Sequence, residues 1–281
     1  MNPIKIETFT RFQFVSNPTF SPDGRAVAFV VQQADLKDND YKGDLYLYDC
    51  EDGRVTRLTT AGDAKSYVWT ERGTLLFPAD RDRKKEEKKH GEEEEPSTAY
   101  YEISPAGGEA VKAFEVPLKA TGMYRVDGDR YLITAAAELE KRTRDKDEAF
   151  EVVDEVPFWS NGKGFTNGIR NRLYLYRAST RELTMISGET AEVSSYSVRG
   201  DRVLYKAYPW TDLHDQYDGV YLYDMETGEN RCLLEKDTRR TGMIGFWADG
   251  EALVASGVDN PYGNGKYMDF YAMNLDTGEM K

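Results

Sequence analysis

PTFSPDGRAVAFVV, residues 18–31, holds two short strands and the turn between them, and the fold follows from finding this unit again. The aromatic segment 18–25 contains Asp23-Gly24, a pair that tolerates the left-handed backbone of a tight turn, and an apolar run rich in valine follows. After an insertion come DLYLYD (44–49), a second turn EDGR (51–54) and VTRLTT (55–60), so one unit reads as four strands. The same order returns in SYVWTERG (66–73), TLLFPA (74–79), TAYYEI (98–103), AGGE (106–109) and AVKAFE (110–115). A third copy centres on RYLITAAA (130–137) and RLYLYR (172–177), a fourth on RVLYKAY (202–208) and GVYLYD (219–224), and a fifth on ALVASG (252–257) and MDFYAMN (268–274). Four strands in a unit of ~40–60 residues, repeated along the chain, predict an all-β propeller of four-stranded antiparallel blades. The blades run over 18–60, 66–115, 122–187, 193–235 and 242–281, after a leading segment 1–17. The fifth copy stops at Met280 and Lys281, just past its second glycine turn. The pattern therefore reads as a fragment of a larger propeller, with five self-closing blades as the alternative.

The departures from the repeat carry more information than the repeat. Naming the strands of a unit A to D, the A–B and C–D turns are short, whereas every B–C connection is long: 32–43, 80–97, 138–171, 209–218 and 259–267. Successive turns of a meander alternate between its two ends, so all five insertions project from one side, and loops on a rigid scaffold are where binding resides. The charge run RDRKKEEKKHGEEEEPST (81–98) lies in the second insertion and suits a solvated hairpin tip.

Asp and Glu number 50 against 37 Lys and Arg, a net charge of −13 that repels phosphate backbones and excludes nucleic acid as a partner. No stretch has the apolar length of a membrane span, and MNPIKIETF lacks the basic and apolar regions of a secretory signal, so a cytoplasmic location is expected. Cys50 and Cys232 show no metal spacing and are expected to be buried or half-buried free thiols.

Catalytic constellations are scarce. The chain has no G-x-S-x-G elbow, no P-loop, no H-E-x-x-H and no cysteine pair with zinc spacing, so no metal or cofactor site is expected. Its two histidines, His90 and His214, adjoin no nucleophile, which leaves no basis for a Ser-His-Asp triad. Asp23, Glu71, Asp127, Asp201 and Asp249, the acids nearest the A strands, fall at turns, which argues against a carboxylate pair on the axis of a glycosidase. The third insertion stands out. ELEKRTRDKDEAFEVVDE (138–155) has the mixed charge of a short helix, and Phe158 and Trp159 then offer a large aromatic surface between the acids and two Asn-Gly turns. Either these aromatics pack the loop onto its own blade or they bind a peptide or partner domain. Glu151, Asp154 and Glu155 are candidates to hold a substrate ammonium group, with a solvated acid cluster as the alternative.

EVPFWSNGKGFTNGIRNRLYLYR (155–177), together with VSNPTFSPDGRAVAFVV (15–31), resembles the propeller segment of acylaminoacyl-peptidase-like members of the prolyl oligopeptidase family of serine peptidases. The resemblance implies a seven- or eight-bladed propeller followed, in the same polypeptide, by an α/β-hydrolase domain carrying the serine, aspartate and histidine. That domain is not among these residues, so no catalytic residue is carried over. In related dipeptidyl peptidases a Glu-Glu pair on the propeller binds the substrate amino terminus, and Asp154-Glu155 is a loose analogue of it. The expected role is non-catalytic: limiting the size of short peptide substrates and forming one wall of the active-site cavity, with a homo-oligomer possible. A stand-alone propeller that binds proteins is the rival reading.

Overall fold

The computed structural model describes residues 5–80, 96–139, 153, 155–156, 166–210, 217–235, 239–258 and 268–281. A 3-10 helix over Ile6–Arg11 precedes the first sheet, in which β1 (Gln13–Phe20), β2 (Ala26–Asp35), β3 (Asp40–Asp49) and β4 (Val55–Arg57) pair in chain order. The second sheet holds β5 (Val68–Trp69), β6 (Leu75–Pro78), β7 (Thr98–Ile103) and β8 (Val111–Val116). The third comprises β9 (Lys119–Arg125), β10 (Arg130–Glu138), β11 (Ile169–Arg177) and β12 (Glu182–Met185). The fourth has β13 (Ala191–Arg199), β14 (Arg202–Pro209), β15 (Gly219–Asp224) and β16 (Asn230–Leu234), and the fifth has β17 (Arg239–Phe246), β18 (Glu251–Val258) and β19 (Asp269–Asn274). The protein is all-β, built of antiparallel meanders, and divides into two compact units, 1–131 and 132–281.

Alternation along each strand explains the stacking. In the first unit Ala28, Val30 and Leu45 share one face of the first sheet and are fully buried against Leu75, Phe77 and Tyr101 of the second. Burying side chains of this size contributes about 1.5–3 kcal/mol each. Polar contacts set the alignment, because the Trp69 indole N–H donates to the Thr19 carbonyl (3.2 Å) and the Tyr67 hydroxyl to that of Asn17 (2.6 Å). In the second unit Leu204, Val220 and Leu222 of the fourth sheet pack on Ala252, Val254 and Met273 of the fifth.

The structure adds local detail to the pattern and departs from it in places. β1 begins at Gln13, ahead of the quoted segment 18–25. Asn17-Pro18 is accommodated within β1 as a bulge, with Asn17 at φ 53 and a register shift between Ser16 and Thr19. The first B–C insertion is no loose loop. β2 and β3 stay paired out to Asp35 and Asp40, leaving only residues 36–39 as a turn, and Lys42 bonds both Asp35 (2.5 Å) and Asp38 (2.8 Å) across it. Both cysteines are exposed: Cys50 follows β3 in a turn, and Cys232 lies on β16, the edge strand of its sheet. The charge run of the second insertion lies outside the described residues over 81–95, as does the expected helix over 140–152.

The C–D turns repeat one device. Asp49, Asp224 and Asn274 each close a C strand, and a side-chain oxygen of each accepts two backbone N–H groups of the turn. Four residues later Gly53, Gly228 and Gly278 all take φ 73. In the third sheet that place belongs to Arg181, exposed and at φ 58, a conformation that costs an L-residue about 1 kcal/mol or more. Arg181→Gly is therefore expected to raise stability by up to about 1 kcal/mol, read from the urea midpoint. Backbone bonds from Thr227 and then Glu226 hold the Asp224 carboxyl below its ordinary 3.8, so its contribution is present above that pH and lost as pH falls through the lower folded value. Because Asn274 already makes the same bonds uncharged, Asp224→Asn should leave stability near neutrality unchanged and flatten its loss below about pH 4, as followed by thermal melts across pH.

Candidate functional site

The third insertion returns to its sheet through a short, tightly held backbone. Leu139 N–H donates to the Gly168 carbonyl (2.8 Å) and Ile169 N–H to that of Thr166 (3.0 Å), while Gly168 takes φ 67 in the Asn167-Gly168 turn. The next residue but one, Arg170, has one of the largest fully buried side chains of the described residues. Its guanidinium forks onto the Glu155 carboxylate, with Nη2 at 2.7 Å from Oε2 and Nη1 at 3.1 Å from Oε1. Nε donates to the Trp210 carbonyl (2.9 Å), Nη1 also reaches the Ile169 carbonyl (2.9 Å), and the group lies 4.0 Å from the centre of the Trp210 ring. Glu155 further accepts the Gly168 N–H at 2.5 Å, and its side chain is only 4% exposed. Such a desolvated pair holds only when the fork is complete and the remaining lone pairs are bonded, which is the arrangement found.

Trp210 stands at the start of the fourth insertion, and the far end of that insertion is held in the same manner. The buried Lys206 ammonium bonds Asp218 (3.2 Å) and the Thr241 carbonyl (2.7 Å), and Ser194 donates to the other Asp218 oxygen (3.0 Å). The roots of two neighbouring insertions are thus fixed by ion pairs on the B–C side of the sheets. At the opposite ends of the strands, a cleft of about 390 Å³ is lined by residues including Asp201 and Asp249 of the turns and Asp224 at the end of β15. Asp23, Glu71, Asp127, Asp201 and Asp249 all lie in turns or bends.

Of the five substrate-binding candidates, Glu155 is the one among the described residues, and it is engaged with Arg170 and Gly168. Glu151, Asp154, Phe158 and Trp159 lie outside them. Sequence reasoning passed over Arg170, Trp210, Lys206 and Asp218. The one available signal was a basic residue within an otherwise apolar strand, as in RVLYKAY, where Val203 to Tyr208 are all buried. Among the described residues no cluster of His, Cys, Asp or Glu has the arrangement of a metal site, and no helix is long and apolar enough to cross a membrane.

Stacked four-stranded antiparallel meanders with turn-rich ends define a propeller-type fold, and comparison with solved structures agrees. The acylaminoacyl peptidase of Pyrococcus horikoshii matches 98% of this chain with a TM-score of 0.64 at 21% identity, the match spanning 40% of that protein. An oligogalacturonate lyase in complex with manganese matches 93% of the chain and 62% of its own length, with a TM-score of 0.57 at 15% identity. These likenesses show the fold, and the same fold accommodates different chemistry. An uncharacterized peptidase of Bacillus subtilis, YuxL, is 24% identical over 199 residues, 67% of this chain but 28% of the relative's own length. No family model matches the chain. Together the matches fit the resemblance carried by residues 155–177, that of the propeller part of an acylaminoacyl-peptidase-like protein.

Removing one partner of a buried pair leaves the other charge stranded. Arg170→Met or Glu155→Leu alone should cost about 3–5 kcal/mol of stability in urea unfolding. The double variant Glu155→Leu/Arg170→Met should recover most of that loss, whereas additive losses would show that the two groups act independently.

Proposed function

We propose that this chain is the non-catalytic propeller region of a serine peptidase that acts on short peptides, and that the B–C side of its sheets forms one wall of the cavity where the peptide is cut. The observation that carries the reading is the pair of buried ion pairs at the roots of the third and fourth insertions. They fix Glu155 and Asp218, residues of these two insertions, to buried strand residues beneath them. A wall that limits substrate size needs such rigidity, because a loop free to swing admits longer chains. In this reading Phe158 and Trp159 supply apolar contact, Glu151 and Asp154 face the substrate ammonium group, and Glu155 positions the loop through Arg170. The nucleophile, base and acid come from an α/β-hydrolase domain of the same polypeptide, and the protein works in the cytoplasm.

The 155–177 segment, the absent nucleophile elbow and the kinship with a peptidase at the sequence level support this reading. The purified 281-residue chain is expected to show no turnover of aminoacyl or acyl-aminoacyl chromogenic substrates. Turnover sensitive to a serine-hydrolase inhibitor would overturn the proposal, as would a coding sequence in which no G-x-S-x-G segment follows these blades.

A further inference from the structure

The seam between the fourth and fifth sheets is apolar along most of its length and turns polar at the insertion end. Ala252 and Val254 of β18, with Ile244 and Met273 beside them, pack on Leu204, Val220 and Leu222 of the fourth sheet. Ser256 comes next on the same face of β18 and pairs directly with Thr241 of β17. On the fourth sheet the same alternation leads from Leu204 to Lys206, whose ammonium bonds the Thr241 carbonyl (2.7 Å) and Asp218 (3.2 Å). Lys206, Thr241 and Ser256 thus form one polar layer beneath the root of the fourth insertion.

This layer is short of partners. Ser256 is fully buried and Thr241 is 5% exposed, yet neither hydroxyl has a hydrogen-bond partner among the described residues. The Lys206 ammonium carries three N–H donors, of which Asp218 and the Thr241 carbonyl take two. A buried hydroxyl left unbonded forfeits its hydration for nothing, and two of them on directly paired residues point to a bound group that both donates and accepts. Asp218 already balances the Lys206 charge, so the layer has no call for an anion. Ser256 is smaller than Val254, which precedes it on the same face, and it leaves room beside the thin Lys206 stem for a molecule no larger than water.

We propose that a water molecule is bound in this layer as a fixed part of the fold, accepting the third Lys206 N–H and bridging the hydroxyls of Thr241 and Ser256. It ties the fifth sheet to the ion pair that anchors the fourth insertion, a link otherwise made by the Thr241 carbonyl. The site stands on the geometry of the seam and is independent of any peptidase activity. A crystal structure of the chain should show solvent density within hydrogen-bond distance of Thr241 Oγ1, Ser256 Oγ and Lys206 Nζ. In solution, oxygen-17 relaxation dispersion should count one long-lived water fewer in Thr241→Val/Ser256→Ala than in the parent, and the parent's number in Thr241→Ser, which keeps the hydroxyl. Thr241→Val and Ser256→Ala should each lower the urea midpoint, because the water is left short of a partner. Far-ultraviolet circular dichroism checks that each variant folds. A higher midpoint in Thr241→Val would mean a dry hydroxyl relieved of its cost, and it would overturn the proposal. An unchanged count of long-lived waters in the double variant, or a crystal structure with a side chain between the two hydroxyls, would overturn it equally.

Discussion

A four-stranded antiparallel sheet whose strands are apolar on both faces cannot hide its surface alone. Each strand sends alternate side chains to opposite sides, so burying one face leaves the other still seeking cover. The described sheets answer this by stacking, with small residues such as Ala28 and Ala252 set against larger partners such as Phe77 and Leu222. Repetition is the consequence of that requirement, because every added sheet covers one apolar face and presents another. The short glycine turns serve the same end, keeping each meander compact enough to lie flat on its neighbour.

Charge enters this apolar stack at few places, and the two that matter most lie at the insertion roots. Placing Arg170 and Lys206 among buried side chains costs several kcal/mol of hydration for each ion. That cost is offset only because their partners arrive from specific loop positions, Glu155 and Asp218. A hydrophobic pair of the same volume would stabilise the fold as well, but it would not specify which loop residue returns to which strand. The pairs act as registry devices, tying the entry and exit of long insertions to the sheets beneath them.

Much of the architecture was legible in the chain because its determinants are local. Strand alternation in AVAFVV or RLYLYR, the Asp-Gly and Thr-Gly turns, and the recurrence of the whole unit depend on residues within a few positions of one another. Bulges and strand extensions were not legible in the same way. Asn17-Pro18 breaks a strand by propensity and is kept in one by the pairing of Val15 with Val31 and Thr19 with Ala28 on either side. QQADLKDNDYKG has the composition of a loop, yet pairing carries β2 and β3 through most of it.

The sequence by itself determined the repeat, the antiparallel meander and the side of the sheets that bears the long insertions. It also determined that no nucleophile elbow occurs within these residues. Only the tertiary structure decided that Glu155 is the partner of Arg170 and not a free carboxylate, and that Lys206 reaches Asp218 and the Thr241 carbonyl. The reason is physical. Strand and turn preferences are set by neighbours in the chain, whereas the fate of an ionisable side chain is set by desolvation and by partners 12 to 35 residues away, which only the folded chain brings together.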